Sequence, residues 1–243
     1  MKKYVIIFIC LAVSFMTFGQ NAQMRLKEIR VTPPKFTGII NVMNEKSLTD
    51  YLHNNIKYKI SINEPYDEGT EVVKFVVTPD GRLTNFKIIN SVSNKIDKEV
   101  IRVLETTNGM WVPGLNDKEA IAMEKEISVL FCIYENGNVA NHFTSIATKY
   151  FIKGTKNLLI KNKPKRALTA FKKASKYLPY DKAILYSRSL AKYLTGDEEG
   201  AHNDQDRLKF LVKTGNAKQD LKMITYNNKT PKGYKEFLSF IEE

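Results

Sequence analysis

Thr70-Glu71-Val72-Val73-Lys74-Phe75-Val76-Val77-Thr78-Pro79-Asp80-Gly81-Arg82 is the stretch that decides the fold. From Thr70 to Thr78 the side chains alternate. Val73, Phe75 and Val77 fall on one face and Lys74 and Thr78 on the other, the period of a strand with one side buried. Pro79-Asp80-Gly81 interrupts the pattern, and Arg82 to Val92 resumes it with Phe86 and Ile88 sharing a face. Asp-Gly between two such runs predicts a hairpin turn, because glycine takes the positive φ that the turn requires.

Outward from the hairpin the period lengthens. Upstream, Leu48, Leu52 and Ile56 fall at i, i+4 and i+8 with Tyr51 beside them, the stripe of an amphipathic helix that Ser47 or Asn44 could cap. Further upstream, residues 20–33 read as an extended lead-in ending at Pro33-Pro34. Downstream, Ile96, Val100, Val103 and Leu104 mark a second helix, and Asp97 suits its positive N-terminal end. A loop, Asn108-Gly109-Met110-Trp111-Val112-Pro113-Gly114, holds the only tryptophan, and Glu124 to Tyr134 reads as a third strand. The order helix, strand, strand, helix, strand predicts an α+β unit, with two helices packed on one face of a three-stranded antiparallel sheet.

The ordered set Phe36-Thr37-Gly38, Tyr51-Leu52, Asn55-Ile56-Lys57-Tyr58, Val76-Val77 into Asp80-Gly81, Ile89-Asn90-Ser91, Asp97 to Val103 and Trp111-Val112-Pro113-Gly114 resembles a TonB C-terminal domain, particularly of the Bacteroidetes kind, over residues 34–135. Two positions depart from the family: Lys59 follows Tyr58 and Thr37 precedes Gly38, where prolines are usual. The resemblance implies that the last strand lies at a sheet edge and takes up an extended peptide of an outer-membrane TonB-dependent transporter. Lys125, Ile127, Ser128, Val129, Leu130 and Phe131, with Tyr58 and Trp111, are then the candidate partner-binding residues. The stretch from Ile127 to Ile133 is hydrophobic on both parities, so charge does not blunt its outer face. Two alternatives stay open: residues 24–32 or a second copy of the chain could cover that strand, and Trp111 could pack over the sheet instead of lining the groove. The family's long proline-rich linker has no counterpart, since the stretch between Gln20 and Pro33 reaches at most roughly 50 Å.

The start of the chain reads as a signal peptide over residues 1–19. Lys2-Lys3 precedes an apolar run from Tyr4 to Phe18, and Thr17-Phe18-Gly19 resembles a cleavage site. At about 1.5 Å per residue that run spans roughly 22 Å, short of the roughly 30 Å hydrocarbon core. Periplasmic export is therefore expected, with an inner-membrane anchor as the alternative. Cys10 lies inside the apolar run without the flanks of a lipid-attachment site, so cleavage would leave Cys132 as the one thiol and exclude an internal disulfide.

Of 243 residues 43% are hydrophobic, which suffices for packed cores, and a mean hydropathy of -0.33 excludes a multi-span membrane protein. The net charge of +12 is uneven: residues 20–135 hold 15 basic and 16 acidic residues, whereas residues 136–243 hold 21 and 10. Two modules with different partners follow from that asymmetry. In the second, an offset of 34 aligns Phe151 with Leu185, Thr155 with Ser189 and Ala167 with Ala201, a tetratricopeptide-like signature of paired helices. Residues 148–243 thus read as an all-α helical-repeat domain of two units, capped by helices around Asp220–Thr225 and Lys232–Glu242. Gln205 and Leu208 depart from the repeat pattern. Ten basic residues and no acidic one lie between Glu135 and Asp181, either a solvated face or a surface for an anionic partner. Nucleic acid is a poor fit for an exported protein.

Chemistry is sparse. His53, His142 and His202 lack metal-ligand spacing, and Cys132 has no convincing histidine partner along the sequence. Nucleophile-elbow and phosphate-loop motifs are missing. The expectation is a binding protein rather than an enzyme, with no cofactor or metal. It would dock transporter peptide at the envelope, or else serve as a scaffold whose basic module binds the working partner while the first domain only dimerises.

Overall fold

The computed structural model describes residues 30–38, 48–57, 67–132, 138–213 and Phe237. Its central element is β3 (Gly69–Val77), hydrogen-bonded on one side to β4 (Leu83–Asn90) and on the other to β8 (Met123–Phe131), all antiparallel, in the order β4-β3-β8. The alternation read from the sequence survives in three dimensions. Val73, Phe75 and Val77 are fully buried in one core with Leu52, Ile96, Val100, Val103, Leu104 and Trp111. Those residues come from α1 (Leu48–Asn55) and α2 (Asn94–Glu105), which lie on the same face, and from the loop after α2. Ser93 caps α2 by accepting from the Ile96 N–H, and Glu99 ties the end of α1 to α2, accepting from the Lys57 N–H (2.6 Å) and from Arg102. The proposed caps of α1, Ser47 and Asn44, fall outside the described residues.

The hairpin forms where Asp80-Gly81 predicts it. Gly81 has φ 76°, its N–H donates to Thr78 O (2.9 Å), and the Thr78 N–H donates to Arg82 O (2.9 Å). A second constraint acts on the same residue: a Cβ on Gly81 would strike the carbonyl oxygen of Trp111.

Short ribbons at the lead-in and in the loop after α2 frame this sheet. β1 (Val31–Thr32) pairs with β6 (Gly114–Asn116), β2 (Lys35–Phe36) with β5 (Trp111–Val112), and β6 with β7 (Glu119–Ile121). The β6–β7 turn holds Asp117 and Lys118 at φ 49° and 75° without glycine, so the usual hairpin signal was missing. Strands of two or three residues are too short to show a period.

From Asn138 the chain is helical: α3 (Val139–Thr155), continued by a π-helical turn over Lys156–Ile160, then α4 (Pro164–Tyr177), α5 (Lys182–Tyr193) and α6 (Glu198–Lys213). Each helix packs on the next. α4 and α6 begin at Pro164 and Glu198, the offset of 34 seen in the sequence. Small residues sit where helices meet: Ala167, Ser189 and Ala201 are fully buried, and a Cβ on Gly154 would collide with the Phe171 ring. Gln205 donates to Ser189 Oγ (3.0 Å), which in turn donates to Ala201 O (3.0 Å). Phe237 is buried between Tyr186 and Tyr193; most of the stretches expected to cap the stack fall outside the described residues.

The helices cover the second face of the sheet, so β3 is buried on both sides. Val72 is fully buried, Thr70 Oγ1 donates to Tyr177 O (2.9 Å), and Asn90 Nδ2 donates to Thr70 O (2.7 Å). Glu126 of β8 receives two hydrogen bonds from Arg207 and one from the Tyr180 hydroxyl, each 2.9 Å.

Gly81→Ala should cost about 2–3 kcal/mol, because positive φ and the Trp111 carbonyl oppose the same methyl group. Equilibrium urea unfolding measures it, and Gly109→Ala is the control: Gly109 also has positive φ (80°) but open space around it, so it should lose less.

Candidate functional site

The side of β8 turned away from β3 carries no strand among the described residues. Residues 24–32, one candidate cover, lie elsewhere as far as they are described: Val31 and Thr32 pair with Asn116 and Leu115 of β6. The full register of β8 runs from Met123 opposite Val77 to Phe131 opposite Gly69. An edge of nine residues therefore offers main-chain donors and acceptors in one line.

The predicted partner-binding side chains divide by parity. Ser128 and Leu130 are exposed, Leu130 at 57%. Lys125, Ile127 and Val129 are half-buried, the last two packed against the core. Phe131 and Trp111 are buried. The Trp111 indole N–H donates to Thr107 Oγ1 (2.9 Å), and its ring packs edge-on against Phe36 and Phe75 at 5.4 Å each. Core packing, the alternative left open for Trp111, is its position. Tyr58 lies outside the described residues.

Across β3 from Val129 stands Glu71, fully buried. One carboxyl oxygen accepts from the Val92 N–H (2.8 Å), and among the described residues the other has no hydrogen-bond partner. Burial pushes this carboxyl up to about 8; the Val92 hydrogen bond opposes the shift and the nearby Asp97 charge adds to it.

Between the second face of the sheet and the helices runs a cleft of about 840 Å³, with Lys74, Lys87 and Glu124 on one wall and Lys172, Arg188 and Phe210 on the other. Many of its charges are already paired. Arg188 donates to both oxygens of Asp204 (2.6 and 2.8 Å), Lys192 lies 3.0 Å from the same carboxylate, and Lys74 meets Glu124 at 2.7 Å. Such closed pairing braces each wall within itself rather than reserving a charge for a ligand. Nine of the ten basic residues between Glu135 and Asp181 are exposed, and Lys176, half-buried, faces Asp67 at 3.6 Å.

Folding also brings together residues that the sequence kept apart. Cys132, expected to lack a histidine partner, lies with His142 and Glu68, with donor atoms of all three within 4.8 Å of one another. That expectation is corrected. Glu68 and Cys132 adjoin the same end of the β3–β8 ladder, next to the Gly69–Phe131 pair, a proximity visible only once the register is known.

With this geometry in place, the chain can be set beside known proteins. Residues 64–133 match the family model of the Gram-negative bacterial TonB protein C-terminal. The match takes in β3, β4, α2 and β8, under a third of the chain, and leaves α1 and the helices from α3 onward outside it. No curated protein and no solved structure matches the chain. A TonB-like domain implies a place in the cell envelope. Among the described residues no helix is long and apolar enough to cross a membrane.

Glu71 makes stability depend on pH. Unfolded, it ionises near 4.5; folded, it keeps its proton to about 8, so its stabilising contribution is complete below pH 4.5 and lost as the pH rises to 8. Denaturation of wild type and Glu71→Gln across that window should show the difference drifting in favour of the variant, on the order of 5 kcal/mol in all.

Proposed function

We propose that this chain is an exported, non-enzymatic envelope protein whose TonB-like domain, spanning residues 34–135, docks an extended peptide of an outer-membrane transporter along the free edge of β8. The observation that carries the reading is the lateral position of β8, with no further strand beside it among the described residues, within a segment that matches the TonB C-terminal family. Strand addition draws affinity from main-chain hydrogen bonds and selectivity from alternate side chains. Ser128 and Leu130 are the side chains placed to select, and the other strand residues contribute backbone. The same open edge could pair with its counterpart in a second copy, the dimerising alternative, and the test below separates the two.

In this reading residues 148–243 are a tetratricopeptide-like module that holds the sheet from behind and offers its exposed basic residues to an anionic partner. The 34-residue offset between α4 and α6 and the small residues at their contacts support the repeat assignment.

Backbone N–H groups of successive strand residues point to opposite edges, so one of Ser128→Pro and Val129→Pro removes an outward donor while sparing the β3 ladder. The sparing variant should unfold within a few degrees of wild type and lose recovery of transporter plug peptides in pull-downs. Recovery by the sparing variant equal to that of wild type would remove edge docking. Loss of dimer in sedimentation, with no peptide bound by wild type, would transfer the edge to self-association.

A further inference from the structure

We propose that Glu68, Cys132 and His142 form a binding site for a divalent transition-metal ion, with zinc the fitting member of that class. The three residues come from separate segments: Glu68 precedes β3, Cys132 follows β8, and His142 stands in the first turn of α3. Each sits one position from a fixed neighbour. Gly69 and Phe131 face each other across the β3–β8 ladder, and Phe143, 2% exposed, packs edge-on against Tyr177 at 5.3 Å. Ladder and helix thus set the three donors independently of any ion.

The donor set and its convergence argue for a metal. Thiolate, imidazole and carboxylate are the zinc-binding side chains, and three protein ligands leave a fourth position for water. His142 Nε2 is 3.2 Å from each carboxylate oxygen of Glu68, close to the roughly 3.4 Å between nitrogen and oxygen ligands on a tetrahedral zinc. The Cys132 sulfur lies within 4.8 Å of both partners, so a side-chain adjustment of about 1 Å closes the other two edges. A Cys-His-carboxylate relay for nucleophilic chemistry is arranged differently: thiol and carboxylate then use opposite ring nitrogens and stand apart. Here all three donor atoms converge on one point. All three residues are partly buried, which shields the ion while leaving it a path from solvent.

Binding forms the zinc–sulfur bond as Cys132 releases its proton to solvent. The ion would join the end of β8, the start of β3 and the first helix of the repeat module, so the two modules would be tied by coordination as well as by packing.

The test uses the full chain without a histidine tag and with Cys10→Ser, leaving Cys132 as the sole thiol. Calorimetric titration with Zn²⁺ should give one site per chain, weakened at least tenfold by Cys132→Ser and by His142→Ala. Co²⁺ should give a near-ultraviolet thiolate-to-metal band in the parent protein, a readout that does not depend on either variant folding. Absence of saturable Zn²⁺ binding, absence of that band, or equal affinity of Cys132→Ser would overturn the site. Peptide docking at β8 does not enter these measurements.

Discussion

The structure depends on the burial of β3 from every side. Its ladders to β4 and β8 satisfy its backbone, α1 and α2 cover Val73, Phe75 and Val77, and the helical module covers Val72. Fully burying side chains of this size contributes about 1.5–3 kcal/mol each. A three-stranded sheet with helices on one face alone would leave Val72 and Thr70 in water. The second module therefore covers a face that the first leaves apolar.

That dependence changes how the two halves relate. The charge asymmetry suggested separate modules with separate partners, yet contacts of several kinds cross the junction. Thr70 reaches the carbonyl of Tyr177, Asn90 reaches that of Lys176, and Arg207 grips Glu126 with two hydrogen bonds. Burial, then the Glu126 charge, pushes the Tyr180 hydroxyl up to about 12, while the Arg207 guanidinium over its ring opposes the shift. A charge-assisted pair of this kind is worth more than a surface ion pair, because its groups are half out of water.

What the sequence made legible was whatever carries a period or an obligatory residue. The alternation around Phe75, the Asp80-Gly81 turn, the stripe from Ile96 to Leu104 and the small residues at Ala167, Ser189 and Ala201 all appear where read. Illegible were features that arise only from register. The β1–β6 and β2–β5 ribbons are too short for a period, and nothing local marks Glu126 for Arg207 or Cys132 for His142. Trp111 shows the remaining limit: a lone aromatic beside Pro113-Gly114 fits a groove or a core equally well until its neighbours Phe36 and Phe75 are in place. The free edge itself was an inference from family likeness; composition alone leaves an apolar strand free to be central or lateral.

A covered face and a free edge are compatible because they lie in perpendicular directions. The helical module approaches β3 and β8 along the sheet normal, through Val72 and Glu126, whereas a guest strand would enter in the plane of the sheet. Side chains of such a guest would alternate between the side of α1 and α2 and the side of the module. Those on the module side would meet Ser128 and Leu130, which are exposed although the helices cover other parts of that face. The module thus bounds the guest on one side without occupying its place, and the sheet gains stiffness where a fourth strand would lean on it. Anything that loosens the grip of Arg207 on Glu126 would act on the edge through the strand that carries it, since Glu126 is itself a residue of β8.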